Sequence, residues 1–345
     1  MRVRKLKATI MTSRLSDVHT INWRYTPDVA LTRTELGSLD RPKIWNVWGK
    51  SFHNIILEGV NAFPLIDEYQ RWADSPIIPG MNLYKILPTI IRDILQDGNS
   101  PSTGICVDIE SFDATPQKSM IYDAFDILRE NITFSDAEGE QCWNYSKEFF
   151  VGTPVIMPDG LMWLKTLGIP SGSYFTQLIG SIINHLLITY IQLKIWTRPF
   201  KLKVLGDDSA FGLPYNLGWP DLEKISAVAV ELGFTIYPDK AIVAQRPEEM
   251  EFLGHVVRGL RIHLDIGKLL RLALFPEYTV TSPDMSIARV EELLIDSGMT
   301  SWPIINLLKY IRVKFNSEGG NKFVMEDKNW LEIILPTKII PQTLT

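Results

Sequence analysis

The sequence predicts a mixed α+β protein, and three observations predict it. Two short β-type runs, Lys203-Val204-Leu205 and Ser209-Ala210-Phe211, flank Gly206-Asp207-Asp208, the pattern of a hairpin with both carboxylates at its tip. Ile105-Cys106-Val107 reads as a short buried strand running straight into Asp108. Helical spacing governs most of the rest: Gln177 to Trp196 holds neither Gly nor Pro except Gly180, and apolar residues recur at helical intervals in Leu269–Phe275, Ile287–Ile295 and Ile304–Phe315.

At 345 residues and 46% hydrophobic content, the chain can bury a large core as one multi-lobed domain or two domains. Lys plus Arg 35 against Asp plus Glu 40 gives a net charge of −5, which excludes a general RNA-coating protein. Residues 1–50 hold ten basic and four acidic side chains, so that segment carries +6 and the remainder −11, which fits either a solvated basic N-terminus or the local positive charge with which an enzyme holds a polyanion in one channel. Cys106 and Cys142 are the only cysteines, so neither a disulfide framework nor a Cys-type zinc site is available, which fits a reducing interior. The start, Met1 to Lys7, is basic without the apolar run of a signal peptide. Leu178 to Trp196 approaches a membrane span but contains Asn184, His185, Gln192 and Lys194, so it is read as a core helix and no membrane is expected.

In chain order, residues 1–40 give no definite element. Arg41 to Lys50 reads as an amphipathic strand with cations on one side, and Asn54–Trp72 and Asn82–Leu95 as helices. A Gly/Asn/Ser/Pro loop from Gly98 to Gly104 precedes the strand that ends at Asp108. Thr115 is the expected N-cap and Pro116 the first position of a helix whose face is Met120, Ala124, Ile127 and Leu128. Trp143, Tyr145, Phe149 and Phe150 fall at helical spacing and are read as core aromatics. Val155–Leu167 fits a hairpin turning at Pro158-Asp159-Gly160. Gly168 to Thr176 is a flexible loop, with Ser171 and Thr176 as hydroxyl donors at the mouth of the long helix. A helix from Asp221 to Leu232 ends at Gly233, followed by a strand Phe234–Tyr237 and a turn holding Lys240. Glu251 to His255, then Arg258-Gly259, give a further hairpin.

The chemistry concentrates in the acids. Adjacent carboxylates at a turn tip repel each other unless a cation lies between them, and magnesium prefers a few hard carboxylate oxygens plus phosphate. Asp108, a carboxylate at the end of a buried strand, is costly unless paired or metal-bound and would complete a three-carboxylate cage.

In order and spacing these stretches resemble the viral RNA-dependent RNA polymerases. Asp108-x4-Asp113 matches their palm motif A, Ser171-Gly172-x3-Thr176 with Ser181 and Asn184 matches motif B, and Gly206-Asp207-Asp208 matches motif C. Gly168-Ile-Pro-Ser-Gly-Ser-Tyr-Phe-Thr-Gln-Leu178, Leu205-Gly-Asp-Asp-Ser209 and Leu274-Phe-Pro-Glu277 are similar to the partitivirus branch, whose members have segmented double-stranded RNA genomes. The resemblance implies a right-hand polymerase: partial fingers over residues 1–100, a palm of antiparallel sheet and helices over 101–260 with a fingers insertion near 130–165, and a helical thumb over 261–345. It implies two magnesium ions, replaceable by manganese, on Asp108, Asp207 and Asp208, and Asp113 on the ribose 2′-hydroxyl. Ser171, Gly172 and Thr176 join it at the nucleotide. Because Gly180 stands where many positive-strand viral polymerases carry asparagine, Ser181 or Asn184 serves instead, or Asp113 works with Ser171 and Thr176 alone.

Motif F resemblance assigns Arg41 and Lys43 to the triphosphate, with Trp45 where related enzymes tend to carry arginine. Motif D resemblance makes Lys240 the general acid for pyrophosphate, and motif E resemblance makes Phe252-Leu253-Gly254 the primer grip. Implied partners are RNA template and product, ribonucleoside triphosphates and a viral capsid protein, in the host cytoplasm within the virion. Relatives carry a longer region before motif F, so a truncated or catalytically silent RNA-binding relative is the alternative. A reverse transcriptase is disfavoured by Gly206 before the two aspartates.

Overall fold

The computed structural model describes residues 26–38, 41–72, 74–97, 100–276 and 279–317, with the side chains of residues 33–38, 41–45 and 97 outside that description. Its centre is an antiparallel sheet ordered β3 (Gln96–Asp97), β4 (Ser100–Val107), β8 (Asp208–Pro214) and β7 (Leu202–Leu205), with β9 (Ile242–Ala244) also pairing with β4. β4 is the axis: residues 102–107 pair with 214–209 of β8, and Gly104–Cys106 pair with β9. Ile105 and Val107 face one hydrophobic core while Cys106 faces a second on the opposite side of the sheet. Burial on both faces is why the strand reads as an unbroken apolar run rather than an alternation.

The first core is built by α3 (Lys118–Arg129), α4 (Ala137–Val151), α5 (Thr176–Trp196) and α6 (Leu222–Glu231). Phe125 is its hub, with Trp143, Phe150 and Phe175 ring centroids 5.1–5.5 Å away in edge-on or tilted contact. The aromatics expected in the core are all buried there or in the adjoining contact of Tyr145 and Phe149 with Leu57. α5 reaches the length and hydropathy of a membrane span, yet Leu178, Ile179, Ile183, Leu187, Ile188 and Ile191 are spent on this core. The second core, on the other face, is supplied by α2 (Leu83–Ile94) together with Met250, Phe252, Val257 and Ile262. β8 passes α2 so closely that a Cβ at Gly212 would lie 2.1 Å from the Ile94 carbonyl oxygen, which leaves glycine as the residue that fits.

A second sheet, ordered β2 (Arg41–Gly49), β1 (Asp28–Ser38), β5 (Pro154–Ile156) and β6 (Met162–Leu164), joins two distant parts of the chain. Residues 154–164 form the hairpin expected at Pro158-Asp159-Gly160, with Gly160 at φ 83, and add to β1 in parallel. α1 (Phe52–Arg71) packs across this sheet's junction with α4, its N-terminus capped by the Ser51 hydroxyl accepting from Asn54 N. At the C-terminal end, the hairpin β10 (His255–Arg258) and β11 (Arg261–Leu264) leads into α7 (Ile266–Leu274), α8 (Pro283–Asp296) and α9 (Trp302–Phe315). Leu269, Ile287, Leu294, Ile304 and Leu308 form their common core. Asp265 and Ser282 cap α7 and α8 by accepting from the backbone N–H three residues on.

Two local expectations are corrected. Thr115 and Pro116 do not start α3; residues Phe112–Ala114 first make one 3-10 turn, the Thr115 hydroxyl donates back to Ser111 O, and the helix begins at Lys118. The Pro116 carbonyl is occupied by Gly168 N, so this segment serves the neighbouring loop. The buried face of α3 is accordingly Ile121, Ala124, Phe125 and Leu128, and Ile127 points outward. The strand expected at Phe234–Tyr237 shrinks to one bridge, Ile109 to Ile236. α6 ends in a Schellman motif, Phe234 N on Ala229 O and Gly233 N on Val230 O, which turns the chain before it can run beside the sheet.

Ile121→Ala is expected to lower unfolding free energy by about 2–5 kcal/mol, and Ile127→Ala, on the same helix, by less than about 1 kcal/mol, measured by denaturant titration.

Candidate active site

The turn at the end of the central sheet is closed by the pair Leu205 and Asp208, leaving Gly206 and Asp207 as its two loop residues, with Gly206 at φ 61. Beneath it lies one face of α5. Gln177, Gly180, Ser181 and Asn184 follow the i, i+3, i+4, i+7 rhythm that stacks side chains on one stripe. Ser181 Oγ accepts from Gly206 N at 2.9 Å, and Asn184 Nδ2 donates to the carbonyls of Gly206 at 3.0 Å and Asp207 at 2.9 Å. A Cβ at Gly180 would stand 3.6 Å from the Gly206 Cα, in ordinary contact, so the gap between helix and turn has room for no more than a small side chain. Ser181 and Asn184 are both fully buried. Their polar atoms are turned to the hairpin backbone, where the resemblance had placed them at the ribose.

Val107 pairs with Ser209, so the register of β4 and β8, carried one step further, sets Asp108 opposite Asp208. Burial foremost, then the charges of Asp207 and Asp108, push the Asp208 carboxyl up to about 7, with Lys268 opposing. Three carboxylates therefore feel one another at the sheet end. Among the described residues no three ligating side chains are already closed to metal-binding spacing. The donor set nonetheless fits a hard divalent cation: carboxylate oxygens whose mutual repulsion a positive charge would relieve.

Asp113 lies on the 3-10 turn five residues after Asp108, half-buried, and accepts a hydrogen bond from Ser171 Oγ at 2.9 Å. Burial raises its pKa and the Ser171 bond opposes that rise. The expected pairing of motif A with the motif B loop is thus made by Ser171. The loop is fastened throughout: Ile169 N donates to Asp113 O, Thr176 Oγ1 to Pro170 O and Trp48 N to Ser171 O. Gly172, at φ 114, lies so close to β2 that a Cβ would meet the Trp48 carbonyl at 2.4 Å. Gly172 and Thr176 thus shape the loop whose Ser171 reaches Asp113.

The other expected residues are spread around this centre. Lys240 is exposed, its Nζ 4.5 Å from the Tyr237 ring centroid, and the Tyr237 hydroxyl donates to Glu110, two residues past Asp108. Phe252 is buried in the second core, so its side chain anchors the turn. Leu253 at φ 54 and Gly254 at φ 73 form the tip, closed by paired backbone bonds between Phe252 and His255. Arg41 and Lys43 lie on β2, with side chains outside the described residues.

Sequence reasoning passed over three residues. Lys268 is close enough to this turn that a Cβ on Gly254 would stand 3.1 Å from its Nζ, and its charge acts on Asp208. Glu58 and Lys50 are buried as an ion pair with Nζ to Oε1 2.9 Å. The available signal was Glu58 itself, an acid on the stripe of Asn54, Asn61, Ala62 and Leu65 that α1 buries.

Residues 22–312 match the family model described as viral RNA-dependent RNA polymerase. The chain belongs to this family. Among curated relatives, it is 31% identical over 196 residues to the RNA-directed RNA polymerase of Cryptosporidium parvum virus 1 (strain KSU-1), covering 50% of this chain and 36% of that one. It is 36% identical over 77 residues to that of White clover cryptic virus 1 (isolate Boccardo/2004), covering 21% of this chain and 12% of that one. Both come from partitivirus-like double-stranded RNA viruses, in line with the resemblance read from the motifs. The RNA-dependent RNA polymerase of a human picobirnavirus superposes with a TM-score of 0.68 at 17% identity, covering 90% of this chain and 57% of that one. Its insertion-loop deletion mutant gives the same score and covers 59% of that chain. The right-hand polymerase fold expected from the motifs is the fold found. This chain spans about a third of the Cryptosporidium virus polymerase and under three fifths of the solved structures.

Asn184→Ala removes two bonds to the turn backbone and is expected to cost about 2–3 kcal/mol in denaturant titration. Asp28, buried beside Lys50, supplies a pH test. Burial pushes its carboxyl from its ordinary 3.8 up to about 6, against the Lys50 charge. Its folded pKa lies above the unfolded one, so the stability it contributes is complete below about pH 4 and lost as pH rises through about 6, roughly 3 kcal/mol in all. Unfolding titrations at pH 4 and pH 7 should show that difference shrink in Asp28→Asn.

Proposed function

We propose that this chain carries out template-directed RNA synthesis, joining ribonucleoside monophosphates from their triphosphates to an RNA 3′ end and releasing pyrophosphate. The observation that carries this reading is the convergence of Asp108 with Asp207 and Asp208 on a turn held from below by α5, beside the Ser171–Asp113 pair. Residues 1–100 with the 130–165 insertion serve as fingers, 101–260 as palm and 261–345 as thumb. The sheet that unites β1 and β2 with β5 and β6 supports grouping the insertion with the fingers.

Asp108 and Asp207 would hold two magnesium ions, or manganese in their place, with Asp208 supporting. Bound there, the ions supply Lewis-acid activation of the 3′-hydroxyl and neutralise the triphosphate. The chain's own residues do the positioning. Asp113, oriented by Ser171, accepts a hydrogen bond from the ribose 2′-hydroxyl, which a deoxynucleotide cannot offer. Lys240 donates a proton to the leaving pyrophosphate, a contribution of about a hundredfold or more. Arg41 and Lys43 bind the triphosphate as it enters. The Leu253-Gly254 tip holds the primer end, anchored by Phe252 in the core beneath. The partners are RNA template and product and ribonucleoside triphosphates, with capsid protein around the enzyme in a virion in the host cytoplasm.

The test is incorporation of labelled ribonucleotides on a single-stranded RNA template with magnesium. Wild type should make product, while Asp108→Ala and the double variant Asp207→Ala, Asp208→Ala should lose at least a thousandfold and keep most RNA affinity. Product from Asp108→Ala would overturn the site assignment, and a folded, RNA-binding but inactive wild type would favour a truncated or silent relative.

A further inference from the structure

A buried charge cluster in the fingers is left unused by the proposed chemistry. Asp28 opens β1, Lys50 follows β2 and Glu58 lies in the second turn of α1, with side-chain exposures of 0%, 0% and 2%. Lys50 Nζ stands 2.9 Å from Glu58 Oε1 and 3.4 Å from Asp28 Oδ2. A buried cluster of this kind is weak support for stability, since apolar residues of similar volume often serve as well. What distinguishes it is the second oxygen of Glu58. Oε2 accepts from Ser173 Oγ at 2.8 Å and from Tyr174 N at 3.1 Å, so one carboxylate joins the lysine of the fingers to the motif B loop.

The loop is held on both sides of Gly172. Ser171 bonds Asp113 through its hydroxyl and Trp48 N through its carbonyl, while Ser173 and Tyr174 bond Glu58. Gly172, at φ 114, is a joint with a freedom that only glycine has, so the Ser171 side does not by itself hold residues 173–174, and Glu58 is the anchor there. Lys50 in turn orients Glu58, because its charge occupies Oε1 and leaves Oε2 for the loop. A group that orients the partner of a substrate contact acts through geometry held to a fraction of an ångström.

We propose that Glu58 is a positioning residue that fixes the 171–174 loop so that Ser171 stays bonded to Asp113, and thereby sets discrimination between ribo- and deoxyribonucleoside triphosphates. This rests on the reading of Asp113 as the sugar-contacting acid. Losing the Glu58 anchor frees residues 173–174 to turn about Gly172, which shifts the Ser171 hydroxyl off Asp113 while Trp48 N still holds the Ser171 carbonyl, and the carboxylate loses the orientation that favours a 2′-hydroxyl.

The experiment uses the full chain with Glu58→Gln, Ser173→Ala, Ser171→Ala and the double variant Glu58→Gln, Ser171→Ala. Ser173→Ala removes the hydroxyl's bonds to Glu58 and from Phe175 N and leaves the ion pair, so it decides the matter if Glu58→Gln does not fold. Hydrogen exchange at residues 169–176 should quicken at least tenfold in Glu58→Gln and measurably in Ser173→Ala, with the central amides of α5 unchanged. The ratio of kcat/KM for ATP over dATP should fall at least fivefold in Glu58→Gln, by a similar factor in Ser171→Ala, and no further in the double variant. Unchanged loop exchange overturns the proposal. So does a loosened loop with equal losses on ATP and dATP, or selectivity losses that simply add in the double variant. If wild type makes no product, the proposed activity fails separately, and the positioning role is then decided by loop exchange together with the ratio of ATP to dATP binding.

Discussion

The structure depends on holding two adjacent carboxylates at the tip of a strand pair, where their charges oppose any fixed arrangement. The solution is to grip the backbone rather than the acids. Ser181 and Asn184 reach up from α5 and bond the amide and carbonyls of Gly206 and Asp207, so neutral dipoles fix the turn through its backbone. A bond to the carboxylates themselves would spend the oxygens that a cation needs. Asn184 is wholly buried, and its Nδ2 offsets the cost of that burial with two bonds to the turn backbone. The turn is thus placed by the core helix, and the helix is placed by the first hydrophobic core.

From that fixed point the rest of the site is set by register. Because β4 pairs with β8 from residue 102 to 107, Asp108 emerges beside Asp208 with no further device. Both faces of β4 are covered, so it has no solvent face onto which a slipped pairing could relax, and a shift of one residue would exchange the Ile105 and Cys106 sides between two differently shaped cores. The raised Asp208 pKa comes first from burial and then from the neighbouring charges of Asp207 and Asp108. Lys268, from the first turn of α7, is a nearby positive charge that partly offsets it, which ties α7 electrostatically to the end of the central sheet.

The 168–176 loop joins three elements. It meets β2 through the backbone of Trp48, and it meets Glu58 of α1 and Asp113 through both backbone and side chain. Gly168 and Gly172 owe their identity to this docking, since a Cβ on either would collide with a carbonyl of the opposing segment at 2.4 Å. Flexible composition in the sequence here marks a loop pressed closely against its neighbours, not a loose one.

Much was legible in the chain because the signals were local. The hairpin at Gly206-Asp207-Asp208, the strand into Asp108, the aromatics of α4 and the helices after Ile266 each follow from patterns within about ten residues, where periodicity and turn chemistry act. The order of the motifs carried the family. What was misread depended on distant partners: Thr115 and Pro116 have ideal capping chemistry, but the Pro116 carbonyl was claimed by Gly168, and Phe234–Tyr237 has strand composition but was turned away by the end of α6. Ser181 and Asn184 were assigned to the substrate because hydroxyl and amide groups after a motif B loop suit a ribose. Only the packing of α5 under the turn showed which way they face. By itself the sequence determined the elements, the acids and the family, since these rest on local geometry and residue type. The tertiary structure alone decided which polar side chain meets which backbone, because a hydrogen bond is a matter of a few tenths of an ångström between segments that the sequence does not bring together.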